Sequence, residues 1–270
     1  MEEKQTRLLR FFAEDPAARE KAIAAFVEAG QVTAEMREKN GETLLLLTSC
    51  MDSKAAGTVV LDNCVERERA VCGAALYATG QENLYEALVA AMRQSGMLFT
   101  PADETAGKWL GGALKSTPGA DALCDFGSES YAHPKNGPRI LAAAQCSHPL
   151  AAAQARITAA CRLTGADWAV ACAEQEQGDA LLVGDASGSW ILPLAEIARP
   201  QLWAADLLRR AALGLPQAVG VVWAHADAMA QLSAADAETG KKARLRTGLY
   251  SLALTALCTG VGAAAFLLFF

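Results

Sequence analysis

The side chains able to do chemistry in this 270-residue chain are thinly spread. Eight cysteines, Cys50, Cys64, Cys72, Cys124, Cys146, Cys161, Cys172 and Cys258, offer metal ligands or thiolates. No two form a C-x-x-C, and Cys146 with His148 has no second pair to complete a zinc site. Most lie in apolar runs, where a free thiol packs as a small hydrophobe. Reduced thiols also suit a cytoplasmic body. His133, His148 and His225 are scattered and read as solvated or capping residues. A denser group is Asp103-Glu104-Thr105 with Lys108, which sets two carboxylates, a hydroxyl and an amine side by side. Acidic residues favour a helix N-terminus, so this group either opens a helix or belongs to a site. Tyr131 and Lys135 either join it or form an ordinary strand end and turn. Gly184-Asp185-Ala186-Ser187-Gly188 reads as a hairpin turn rather than a phosphate loop. Neither a metal nor a cofactor is expected.

The elements that must position these residues alternate between strands and helices. Residues 1–40 read as helical, with Asp15-Pro16 as a cap and first-turn pair. Residues 41–49 (GETLLLLTS) read as a buried strand, and 55–75 carry helical spacing at Val60, Leu61, Cys64 and Val71. With Tyr77-Ala78-Thr79-Gly80 they make a small α/β unit over 41–80. A larger domain over 81–215 follows. Leu84, Leu88, Val89 and Met92 recur at helical spacing, and 97–101 read as a short strand. Helices are expected at 105–114, 148–163 and 202–213, and strands at 122–131, 168–173, 180–183 and 190–192. The alternation argues an α/β layered sheet with flanking helices. Residues 216–246 read as a linker of mixed character.

Residues 247–270 contain no charged side chain and are apolar all round. About 20 such residues cross a hydrocarbon core of roughly 30 Å as a helix. Lys241, Lys242, Arg244 and Arg246 precede the segment, and flanking cations stay on the cytoplasmic side. The expectation is a single-pass membrane protein with a cytoplasmic body and one C-terminal transmembrane helix. Ala256, Gly260 and Ala264 share one face of that helix, where small residues let two helices approach in lipid. The chain carries 24 basic and 30 acidic residues, a net charge of −6. Outside the juxtamembrane cluster it has no basic patch, so no nucleic-acid partner is expected.

Further motifs carry a family resemblance. Tyr77-Ala78-Thr79-Gly80-Gln81-Glu82-Asn83-Leu84 resembles a Y-G-x-G-E-x-S-L join. The stretch from Gly96 to Ala102 resembles a strand leading into A-E-S-C-T-G-G, which falls on 102–108 without a gap. Pro118-Gly119 matches a P-G-S-S, Tyr131 the Tyr of Y-S-N-E-x-K, and Leu163-Thr164-Gly165-Ala166-Asp167 an L-G-A-D. In these features residues 41–214 resemble the C-terminal part of the CinA family, competence- and damage-inducible proteins. That part joins a KH-type domain to a nicotinamide-nucleotide amidase domain. The resemblance implies a KH-like unit at 41–80, an amidase-like domain at 81–215 and a homodimer. The large N-terminal domain of full-length CinA has no counterpart here.

Hydrolysing an amide needs an activated nucleophile and donors for the oxyanion. By the resemblance, the Ser of E-S-C-T-G-G is the nucleophile, a later Tyr and Lys assist, and a Gly-rich loop surrounds the nucleotide. This chain has Glu104 at the Ser position, Lys108 at the second Gly, and Lys135 four residues after Tyr131 instead of five. Residues 171–177 (ACAEQEQ) stand in place of the Gly-rich loop, without the backbone approach that phosphate needs. The expectation is therefore a membrane-anchored pseudoenzyme that binds a nucleotide-like ligand or a partner. Asp103, Glu104, Thr105, Lys108, Tyr131 and Lys135 would line its pocket. The alternative is a working amidohydrolase on nicotinamide mononucleotide, with Thr105 as nucleophile beside Tyr131 and Lys135.

Overall fold

The computed structural model describes residues 5–112, 114–124, 130–146, 148–174 and 178–232. Residues 6–79 form one β-α-β-β-α-β unit: β1 (Thr6–Phe11), α1 (Pro16–Glu28), β2 (Val32–Lys39), β3 (Glu42–Ser49), α2 (Lys54–Cys72) and β4 (Leu76–Thr79). Its sheet runs β2-β3-β1-β4 with every neighbouring pair antiparallel, the split βαβ arrangement. The Asp15 side chain caps α1 through the Ala17 N–H, with Pro16 in the first turn, and Ser53 caps α2. Asn40 and Gly41 turn β2 into β3 with φ of 57° and 83°, the two left-handed residues that a type I′ hairpin demands. One face of the sheet packs Leu9, Phe11, Leu45 and Leu47 against Ile23 of α1 and Leu61 and Val65 of α2.

The second unit comprises α3 (Leu84–Ser95), β5 (Phe99–Pro101), α4 (Glu104–Gly111), α5 (Gly137–Ala143), α6 (Pro149–Thr164), β6 (Trp168–Ala173), β7 (Ala180–Gly184), β8 (Gly188–Pro193), α7 (Pro200–Ala212) and β9 (Val222–His225). Its sheet runs β5-β6-β7-β8-β9; β5 and β6 are parallel and the rest antiparallel. Period-two alternation feeds two cores at once. Val170, Leu181 and Val183 face α3, α4 and α7, while Ala169, Ala171, Ala180 and Leu182 face α5 and α6. Trp168 stacks on Trp190 along this sheet, 5.1 Å between ring centroids, and Trp223 meets Trp190 edge-on at 4.9 Å.

The two units meet through buried charge. Arg10 reaches Glu42 at 2.7 Å and the Gln81 carbonyl at 2.7 Å, and Glu42 also accepts from the Tyr77 hydroxyl and the Leu84 N–H. From α7, Asp206 accepts from both Arg209 and Arg210 at 2.6 Å. These arginines extend to the carbonyls of Ala74 at 2.6 Å and Phe12 at 3.4 Å. Phe12 packs edge-on to Trp203, 5.1 Å between centroids. The start of α7 also seats the hairpin tip, since a Cβ on Gly41 would lie 2.8 Å from the Arg199 side chain.

Several expectations need correction. Residues 1–40 are not helical throughout, because β1 and β2 flank α1, and a boundary between 40 and 41 cuts the β2–β3 hairpin. The expected linker from 216 supplies β9, the fifth strand of the second sheet. Residues 122–124 are a turn ending in a single bridge from Cys124 to Phe99 rather than a strand, and 125–129 lie outside the described residues. Among the described residues no helix is long and apolar enough to cross a membrane, and the expected transmembrane segment 247–270 lies outside them.

Candidate functional site

Strand β5 ends at Pro101, and the Ala102 N–H donates to the Val170 carbonyl at 2.8 Å, fixing the start of α4 beside β6. Asp103 is the extended residue before α4, and its two carboxylate oxygens do separate work. Oδ1 accepts from the Ala106 N–H at 2.8 Å, an N-cap. Oδ2 accepts from the Cys172 N–H at 2.8 Å, near the end of β6. The Arg156 Nε of α6 stands 3.5 Å from Oδ2, too far to be a strong hydrogen bond but close enough to share charge, while its Nη2 donates to the Cys172 carbonyl at 2.7 Å. One aspartate thus ties α4, β6 and α6 at the C-terminal ends of the two parallel strands, where open α/β sheets place their ligands.

The other expected residues divide. Glu104 and Lys108 are largely exposed and paired one helical turn apart at 2.8 Å. The hydrogen bond and charge of Lys108 hold the Glu104 carboxyl below the usual range. Tyr131 lies across the Gly107 face of the same helix. A Cβ on Gly107 would fall 2.4 Å from the tyrosine oxygen, so only glycine admits the ring there. Burial raises the Tyr131 phenol above its ordinary pKa, and the Glu104 and Asp103 carboxylates add to it against an opposing effect of Lys108. That phenol is a neutral donor, not a base.

Thr105 is half-buried and precedes Gly107 by two residues. Two steps along an α-helix turn about 200°, so Thr105 lies on the far flank from Tyr131. Lys135 is exposed on the turn after Tyr131, with its own N–H bound to the His133 ring at 3.1 Å. The structure therefore gathers Asp103, Glu104, Lys108 and Tyr131 around one side of α4 and does not join Thr105 or Lys135 to them. Arg156 is the residue that sequence reasoning missed. Arg156, one of two arginines in an Ala-rich helix, formed no motif with its sequence neighbours.

Ala171, Cys172 and Ala173 are buried positions of β6, so any departure from a Gly-rich loop begins after them; residues 175–177 lie outside the described residues. Burial, helped by the Asp103, Asp179 and Glu174 charges, pushes the Cys172 thiol up to about 12, and burial pushes the Cys161 thiol also to about 12. Such thiols carry no thiolate for nucleophilic work at neutral pH. His148 caps α6, its ring nitrogen accepting from the Leu150 N–H at 3.2 Å. Asp185 closes the β7–β8 hairpin by accepting from the N–H groups of Ser187 and Gly188.

No family model matches the chain. Curated relatives do. A CinA-like protein of Synechococcus sp. (strain CC9311) is 25% identical over 170 residues, spanning 61% of this chain and 40% of that protein. A CinA-like protein of Parasynechococcus marenigrum (strain WH8102) is 26% identical over 173 residues, 62% of this chain and 41% of that protein. A third, from Synechococcus elongatus, is 25% identical over 126 residues. The chain spans about two fifths of the length of the first two. These matches agree with the motifs read from the sequence: the chain is a distant relative of the CinA-like proteins.

Proposed function

We propose that this CinA-like chain carries a degenerate amidase-type site and binds a nucleotide-like ligand or a partner without turning it over. The observation behind this reading is the character of α4. Where the family resemblance puts a nucleophilic serine, Glu104 is exposed and paired with Lys108. Thr105, the nearest hydroxyl, is turned away from the Tyr131 phenol. A carboxylate held ionised by a lysine brings charge and no hydroxyl, and the phenol beside it keeps its proton. What remains is suited to holding a polar ligand: a cation at Lys108 and a donor at Tyr131. The expected result is no measurable nicotinamide release when the full chain is incubated with nicotinamide mononucleotide. Turnover that disappears in Thr105→Ala would overturn this and establish the amidohydrolase reading.

The same proposal includes a membrane tether. Residues 247–270 are uncharged and follow four cations, which supports a single-pass anchor with a cytoplasmic body. The full chain is expected in the membrane fraction, and a chain ending at Gly240 in the supernatant after carbonate-free lysis and centrifugation. Identical partitioning of the two would remove the anchor. We also propose a homodimer held mainly by the body of the protein, with the small-residue face at Ala256, Gly260 and Ala264 adding modestly.

A further inference from the structure

Strand β2 is an outer strand of the first sheet and eight residues long. After Val32 every one of its residues is exposed, and Met36 is 50% exposed. It contains no proline or bulge, and its outer row of N–H and C=O groups has no strand beside it among the described residues. Such an edge is a template for another strand. We propose that β2 is the self-association surface of this protein: two copies pair edge to edge, antiparallel, about a two-fold axis through Met36.

The occupant follows from the strand's own charges. With the axis at Met36, Glu35 of one copy stands directly opposite Arg37 of the other, twice over, and Thr33 stands opposite Lys39. Directly opposed side chains in an antiparallel pair share a face, and opposite charges there stabilise while like charges do the reverse. Other registers are worse. An axis at Glu35 opposes the two Glu35 carboxylates, and an axis at Arg37 opposes the two guanidinium groups. An axis between two residues is not available, because it would oppose side chains that point to different faces of the sheet. In the isolated chain Arg37 satisfies itself on Glu35 of its own strand at 2.9 Å, with both side chains more than half exposed, so these groups are free to re-pair across the axis. The two Met36 side chains would meet at the axis on the helix side, next to buried Leu45. Glu35 and Arg37 lie beside the half-buried Leu46 and Leu44 of β3 on the opposite face. Pairing at this register keeps both copies' helices on one side and joins their leucine rows into a single eight-stranded sheet.

This inference rests on the proposed self-association but not on the amidase-type site. The test uses the full-length chain in mild detergent, followed by sedimentation equilibrium. Glu35→Arg and Arg37→Glu are exposed substitutions that turn both attractive pairs into repulsive ones, so each alone is expected to weaken the dimer about tenfold. An equimolar mixture of the two variants restores complementary pairs and is expected to recover dimer, as the heterodimer, to within a few-fold of the parent chain. Variants that dimerise like the parent would overturn the β2 assignment while leaving the homodimer intact on another surface. Weakened variants that fail to rescue each other would overturn the register. A parent chain that stays monomeric at every concentration would remove the homodimer and this surface together.

Discussion

Asp206→Ala is expected to destabilise the chain by about 3–5 kcal/mol, because it leaves two buried arginines without their counter-ion. Asp206 is 1% exposed at its side chain, and Arg209 and Arg210 are 4% exposed. Each guanidinium is held by this one carboxylate and by backbone carbonyls, which carry no formal charge to offset it. The damage would spread beyond α7, since Arg209 and Arg210 are the links to Ala74 and Phe12 of the first unit. Urea unfolding should show the midpoint moving sharply down, and thermal unfolding a loss on the order of 10 °C for a chain of this size. Replacing all three charges with leucine or methionine should cost less than Asp206→Ala alone, because a missing ion pair is cheaper than a broken one. A single substitution costing under about 1 kcal/mol would show that water reaches the arginines and that the cluster is not a closed one.

The second large effect is expected at Asp103. Asp103→Ala removes an N-cap, typically about 1 kcal/mol. It also strands the Cys172 N–H, at about 1–3 kcal/mol, and leaves Arg156 without its neighbouring carboxylate. The sum expected is about 2–4 kcal/mol, with hydrogen exchange quickening first in α4 and at the end of β6. Asp103→Asn keeps one acceptor but turns an amide N–H₂ toward a donor, so it should fall between. Glu104→Ala is the control one residue away. Its exposed pairing with Lys108 is screened by water and is expected to contribute little. Equal effects at 103 and 104 would mean that Asp103 does not join the three elements as its hydrogen bonds indicate.

The second unit was the more legible half. Leu84, Leu88, Val89 and Met92 are all buried as their spacing requires, and the apolar runs at 168–173 and 180–183 are strands β6 and β7. The first unit hid β1, an inner strand, and β2, an outer one. Glu35, Met36, Arg37, Glu38 and Lys39 are individually good helix formers, and an edge strand exposed on both faces shows no alternation of apolar and polar residues. The local signal for the β2–β3 hairpin is the Asn40-Gly41 pair. Strand β9 was lost because Val222-Trp223-Ala224-His225 is too short to show a period. At the site, Asp103 as a helix opener followed from residue type alone. The approach of Tyr131 to Gly107 and of Arg156 to Asp103 did not, since both join elements distant in sequence and depend on the crossover from β5 to β6.

The charged seam between the units has a bearing on how the protein is made. The face of the first sheet that carries Arg10 and Phe12 is complete once β4 has emerged, yet its cover, α7, follows about 120 residues later, roughly ten seconds of synthesis at ordinary ribosomal rates. During that interval a wholly apolar face would be a collision hazard for the nascent chain. Arg10, Glu42 and Tyr77 give it a polar rim that closes at once on Gln81 and Leu84, and Tyr77 receives the Arg209 guanidinium, 6.0 Å from its ring, when α7 arrives.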